Sequence, residues 1–122
     1  MHNEGLSTLL LSNKVALVTG GTRDIGRAVC LRLSASGATV VFSHTPTEKS
    51  ASGSVRTIEE IKKIGGRAFA IPVDLTRAQD TFELVERACA LVGDRIDILV
   101  NVAGGLIARK TILEMDEASG IR

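Results

Sequence analysis

The sequence predicts an α/β fold, a doubly wound parallel sheet with a helix between successive strands. Short apolar runs with β-branched residues alternate with longer segments whose apolar residues recur at helical spacing. Glycines punctuate the ends of these segments, as helix C-caps and strand ends require. The chain has 122 residues, 44% of them hydrophobic, enough for one domain with a real core and too few for two.

Val15 to Thr19, bounded by glycines, is the first strand. From Ile25, residues Ala28, Val29, Leu31 and Leu33 suit a helix that stops near Gly37. Ala38 to Ser43 is the second strand, and the polar run His44 to Ser54 is a loop. Val55, Ile58, Ile61 and Ile64 lie at helical spacing, and Gly65-Gly66 ends that helix. Arg67 to Asp74 is the third strand, with Pro72 at its end because proline lacks the N–H a ladder needs. Thr76 or Asp80 caps a third helix whose stripe is Phe82, Val85, Cys89 and Val92. Asp97 to Asn101 is the fourth strand, broken by Gly104-Gly105.

The order βαβαβαβ implies right-handed crossovers and a parallel sheet. The expected strand order is 3-2-1-4, with the switch point between strands 1 and 4. Ligands of such sheets bind there, beyond the carboxyl ends of the strands. Function is therefore expected in three loops: Gly20 to Gly26, His44 onward, and Asn101 to Gly105.

Fifteen basic and fourteen acidic residues leave a net charge of +1. With no basic block, nothing argues for nucleic acid or an anionic membrane as partner. Cys30 and Cys89 stand apart, without metal-ligand spacing, and read as small apolar residues in a reducing compartment. Leu6 to Leu11 is too short to span a bilayer and lacks the flanks of a signal peptide. These readings point to a cytoplasmic protein with no metal site. A GxxxxGK[ST] loop, which an NTPase would need, is absent.

The first loop follows a strand and opens a helix. Gly20 permits the tight turn and Gly26 lets helix and strand approach closely, while the helix N-terminus offers N–H groups and a positive dipole end to a pyrophosphate. In this setting "TGGTRDIG" resembles the TGxxxGxG cofactor loop of the short-chain dehydrogenase/reductase family. "VDLT", Val73 to Thr76, resembles the family's adenine-binding segment. "NVAG", Asn101 to Gly104, resembles its NNAG, and "GATVVFSH" its second strand and ribose-binding tip. The 3-oxoacyl-carrier-protein reductases look most similar within the family.

The resemblance implies a Rossmann-type sheet, incomplete at about four strands. Residues 1–13 form an N-terminal tail and 14–122 a truncated NAD(P)-binding domain. It implies that Gly20, Thr22, Arg23, Ile25 and Gly26 line the phosphates and ribose. Asp74, with the Leu75 backbone, meets the adenine amino group, and Asn101, Ala103 and Gly104 flank the adenosine-side ribose. The structural alternative for Asp74 is a turn or helix cap; for Asn101 it is a strand-end hydrogen bond.

Cofactor choice depends on the tip of strand 2, where a carboxylate would select NAD. His44 stands there instead, Arg23 belongs to the loop expected to face the same ribose, and Lys49 adds a further positive charge nearby in sequence; these favour NADP(H) over NAD(H). The alternative is that His44 is a solvated loop residue.

Two positions depart from the family pattern. Val102 replaces the second Asn of NNAG and cannot offer a polar side chain to the ribose. Asp24 replaces the middle glycine. As an N-cap its carboxylate would stabilise the helix by about 1 kcal/mol, with Arg23 offsetting its charge. Turned toward a pyrophosphate ~6 Å away, it would cost roughly 3 kcal/mol at an effective dielectric near 20.

The family's chemistry is hydride transfer between nicotinamide and a carbonyl or alcohol, with Tyr as the acid/base, a Lys four residues later and an orienting Ser. This chain has no Tyr at all, so the catalytic set is missing, and His2 and His44 cannot replace it. The expectation is a cofactor-binding part, inactive alone. The alternatives are a non-catalytic NADP-binding module and a non-functional truncated product. Strand 4 is expected to be an exposed edge, inviting self-association or association with a longer relative.

Overall fold

The computed structural model of the chain describes residues 10–22 and 24–102. Among these residues four strands and three helices alternate: β1 Val15–Thr19, α1 Asp24–Ala35, β2 Thr39–His44, α2 Glu48–Lys63, β3 Arg67–Pro72, α3 Ala78–Val92 and β4 Ile98–Asn101. The sheet is parallel throughout, in the order β3-β2-β1-β4. Thr19 lies level with Ser43 on one side and Asn101 on the other, so the functional loops leave one end of the sheet together.

Strand residues point alternately to the two faces, and the core divides accordingly. Val18, Val40 and Phe42 meet Cys30 of α1 and Ile61 of α2 on one face. Leu17, Val41 and Ile71 meet Leu84 and Ala88 of α3 on the other. All five residues of β1 are buried because helices cover both of its faces, which is why β1 reads as an unbroken apolar run. Among the described residues β4 forms one edge of the sheet and β3 the other, and Leu99 of β4 remains 59% exposed on the face that α3 shares. Burial in the α1–α2 layer pushes the Cys30 thiol up to about 12, which keeps it protonated and unreactive.

Glycines end the helices by direct hydrogen bonding. After α1, the Ala38 N–H donates to the Leu33 carbonyl (3.1 Å) and the Gly37 N–H to that of Ser34 (3.0 Å), with Gly37 at φ 98°. The Gly66 N–H closes α2 in the same way on the Ile61 carbonyl (2.9 Å).

Four expectations are corrected. The segment 44–54 is not all loop, since α2 begins at Glu48 and its N-cap Thr47 accepts the Ser50 N–H through its side chain. Its buried face is Ser54, Thr57 and Ile61, whereas Val55 and Ile64 are exposed. On α3 the buried residues are Leu84 and Ala88, one step from the anticipated stripe, and Phe82 is 74% exposed. Neither Thr76 nor Asp80 caps α3; the N-cap is Arg77, without a side-chain cap bond, and Asp80 Oδ2 instead accepts the Asp74 N–H (3.4 Å).

At the amino end of the sheet, Asp97 joins β4 to β1. Its Oδ2 accepts the Val15 N–H (2.8 Å), its own N–H donates to the Val15 carbonyl (2.9 Å), and Arg95 lies 3.2 Å from Oδ1 while also donating to the Asn13 carbonyl. The Val15 hydrogen bond above all, with the positive charges of Arg95 and Lys14, holds the Asp97 carboxyl below its ordinary value of 3.8. A lowered folded-state pKa contributes stability above the unfolded value and loses it as pH falls through the folded one. Thermal stability is therefore expected to drop below pH 3.8, and Asp97→Asn to flatten that acid limb. Calorimetric melting across this range checks both.

Candidate functional site

The loop between β1 and α1 is built around a single close approach. A Cβ placed on Gly26 would lie 1.6 Å from the Gly20 carbonyl oxygen, so only glycine lets α1 start this near the end of β1. The Gly20 N–H donates to the Ser43 carbonyl and hydroxyl (3.1 and 3.2 Å), and the Gly21 N–H to the same carbonyl (3.1 Å). These bonds fix the first half of the loop to the end of β2. They also engage two amides that a phosphate would otherwise find free. The Thr22 N–H takes no acceptor among the described residues.

The other sequence-derived residues surround this loop. Ile25 stands 70% exposed at the start of α1, while Gly26 is buried beneath it. His44 is the last residue of β2 and only 8% exposed, with Nδ1–H donating to the Thr45 carbonyl (2.8 Å). The solvated-loop alternative for His44 therefore fails. Asp74 and Leu75 follow β3; Asp74 Oδ1 accepts the Thr76 N–H (3.0 Å) and hydroxyl (2.6 Å), so this carboxylate closes a turn. Asn101 ends β4 level with Thr19. The Val102 side chain packs on the α1–α2 core, and its N–H donates to the Thr19 carbonyl (3.2 Å) and hydroxyl (3.0 Å). Arg23, Ala103 and Gly104 lie outside the described residues.

Asp24 is not an N-cap in the expected sense. An N-cap residue is extended, whereas Asp24 is the first residue of α1 at φ 51°, in the left-handed region. The family pattern's glycine suits that backbone. Aspartate tolerates it better than most residues but at some cost.

Beside the loop lies a pocket of about 510 Å³ that the sequence reading largely missed. Thr22 and Arg27 form one wall; Thr47, Lys49, Ser50, Ser52, Gly53 and Arg56 from the start of α2 form the other. Three cations and several hydroxyls face this space. Arg27 Nε is buried without a partner among the described residues, while Nη2 donates to the Thr22 carbonyl (2.6 Å). Lys49 and Arg56 are two helical turns apart and share a face, a signal hidden by reading this stretch as a loop. Chemically, the pocket suits an anion held by charge-assisted hydrogen bonds. Among the described residues no cluster of His, Cys, Asp or Glu is arranged to hold a metal ion, and no helix is long and apolar enough to cross a membrane.

Two substitutions test this geometry by chemical denaturation. Gly26→Ala forces α1 away from β1 and is expected to cost about 3 kcal/mol or more. Asp24→Gly relieves the left-handed backbone and is expected to stabilise by about 0.5–1 kcal/mol, net of the greater unfolded-state freedom of glycine.

Comparisons with known proteins agree with the fold. The short chain dehydrogenase family model matches residues 14–122. A glucose and ribitol dehydrogenase homolog of Oryza sativa subsp. japonica is 39% identical over 111 residues, covering 88% of this chain and 37% of that protein. The Bacillus subtilis short-chain dehydrogenase/reductase homolog YusS is 40% identical over 91 residues, covering 75% of this chain and 80% of the relative. Among solved structures, a dehydrogenase/reductase from Sinorhizobium meliloti superposes with TM-score 0.77 at 30% identity, covering 97% of this chain and 45% of that one. A blue fluorescent protein from a metagenomic library, in complex with NADPH, gives TM-score 0.77 at 35% identity, covering 89% and 43%. Apart from YusS, the chain spans about a third of the length of these curated relatives, 37% for the rice protein and 34% for hydroxynaphthalene reductase-like proteins of Metarhizium. With its glycine loop, 3-2-1-4 parallel sheet and family match in agreement, the chain belongs to the short-chain dehydrogenase/reductase family.

Proposed function

We propose that this chain binds NADP(H) in preference to NAD(H) and is the cofactor-binding part of an oxidoreductase that moves hydride between nicotinamide and a carbonyl or alcohol carbon. The carrying observation is the basic pocket at the exit of β2. Arg27, Lys49 and Arg56 line it beside Thr22 of the glycine loop, and His44 rather than a carboxylate ends the strand. A carboxylate at that tip would bind a ribose 2′-hydroxyl and repel a 2′-phosphate; cations and hydroxyls do the reverse. The NADPH complex of the metagenomic relative supports the same reading.

In this reading the dinucleotide lies across the carboxyl ends of the strands. The Gly20–Gly26 loop holds its phosphates with Thr22, Arg23 and Ile25. Asp74 and Leu75 bound the adenine, and Asn101, Ala103 and Gly104 flank the adenosine-side ribose. The bound dinucleotide supplies or accepts the hydride. This chain's residues bind and orient it; with no tyrosine they do not provide the family's proton donor, and the chain alone is inactive. The setting we propose is cytoplasmic, with both cysteines free as thiols. The exposed Leu99 edge of β4 supports association with a longer relative or with itself.

A second reading, a nucleotide-binding module used without a catalytic partner, is favoured by YusS, 80% of whose length this chain covers.

Isothermal calorimetry tests the cofactor. NADPH is expected to bind at least about tenfold more tightly than NADH, the effect of one charge-assisted contact. The double variant Lys49→Ala/Arg56→Ala is expected to weaken NADPH to the level of NADH and leave NADH unchanged. Equal affinities for the two in the unmodified chain would contradict the preference.

A further inference from the structure

Two consecutive carbonyls of the glycine loop are held from behind by helix side chains. Thr57, fully buried in α2, has Oγ1 2.9 Å from the Gly21 carbonyl and 3.1 Å from that of Gly53 in its own helix. Its single hydroxyl proton is shared between them. Arg27 donates to the next carbonyl, that of Thr22 (2.6 Å). The helix comes close enough for this because residue 53 is glycine: a Cβ there would lie 3.0 Å from both Thr22 Cβ and the Thr22 carbonyl oxygen.

Peptide geometry turns this contact into an orientation. The described peptide bonds include no cis bond, and in a trans unit the carbonyl and the following N–H point to opposite sides. A Gly21 carbonyl held toward α2 therefore aims the Thr22 N–H away from α2. This is the loop amide left without an acceptor, since Ser43 engages those of Gly20 and Gly21.

We infer that Thr57 is a positioning residue for anion binding: through the Gly21–Thr22 peptide it orients the Thr22 amide toward a phosphate group. The inference rests on the dinucleotide reading for the natural ligand but not for the geometry. A hydroxyl on α2 sets the aim of an amide that it never touches. Its effect is preorganisation, lowering the reorganisation that a bound phosphate would otherwise impose.

The test compares Thr57→Val, which keeps shape and removes the hydroxyl, with Thr57→Ser, which keeps the hydroxyl. The full chain is titrated with NADPH and separately with inorganic pyrophosphate, at a temperature where circular dichroism shows all variants folded. The Thr22 amide resonance is followed in the unliganded proteins. Thr57→Val is expected to weaken both ligands about tenfold and shift the Thr22 amide, and Thr57→Ser to stay within about twofold of the unmodified chain with that resonance in place. Valine binding as tightly as threonine, or serine weakening binding as much as valine does, overturns the inference. If the unmodified chain binds pyrophosphate but neither NADPH nor NADH, the dinucleotide reading fails and the pyrophosphate series alone decides the role of Thr57. Binding of neither pyrophosphate nor dinucleotide overturns both.

Discussion

The approach of Gly26 to the Gly20 carbonyl is the contact on which the rest of this structure depends. With 1.6 Å between that oxygen and any Cβ at position 26, the start of α1 sits directly over the end of β1. A larger residue there would push the helix off the sheet. Other contacts then become available. Ser43 reaches the Gly20 and Gly21 amides. The Phe42 side chain fills the space beneath Gly21, where a Cβ would meet it at 2.6 Å. Each contact adds about a hydrogen bond's or a side-chain burial's worth of stability, but all require the loop to be this tight.

The same tightness separates structure from function within seven residues. The first half of the loop is bonded inward to β2. The second half faces outward, with the Thr22 amide, the exposed Ile25 and the positive end of α1. Cationic and hydroxyl side chains from α2 flank this outward half, and α2 is brought against it by small residues on its inner face. Asp24 lies in this loop with left-handed backbone, which makes its role a matter of φ more than of capping. At the opposite end of the sheet, Asp97 performs a purely structural task, tying β4 to β1 where no ligand site is expected.

The element order and the sheet order were legible in the sequence because β1 and β2 are buried on both faces. Such strands appear as continuous apolar runs between glycines, and right-handed crossovers leave few topologies. The start of α2 was not legible. Residues 48–54 are rich in Ser, Ala and Gly, a composition typical of loops, yet they are helical because small residues are what the glycine loop admits. Much of the basic pocket was lost with it. On α3 the largest apolar residues drew attention, whereas Leu84 and Ala88 are the ones against the sheet; the stripe was displaced, not absent. The left-handed backbone of Asp24 has no signature in composition, since Asp favours both caps and left-handed turns. At Val102 the sequence shows only the loss of a polar side chain relative to Asn. Its apolar side chain packs on the core while its backbone N–H bonds Thr19.

The central claim is that a dinucleotide lies across the carboxyl ends of the strands, against the outward half of the glycine loop. The most direct measurement is a residue-resolved amide NMR titration of the chain with NADPH. The account predicts saturable shifts at Thr22, Ile25, His44, Leu75 and Asn101, and none at Ala38, Arg67 or Asp97 at the other end of the sheet. Shifts concentrated at that amino end, or saturable binding that leaves the Thr22 and Ile25 amides unmoved, would contradict it.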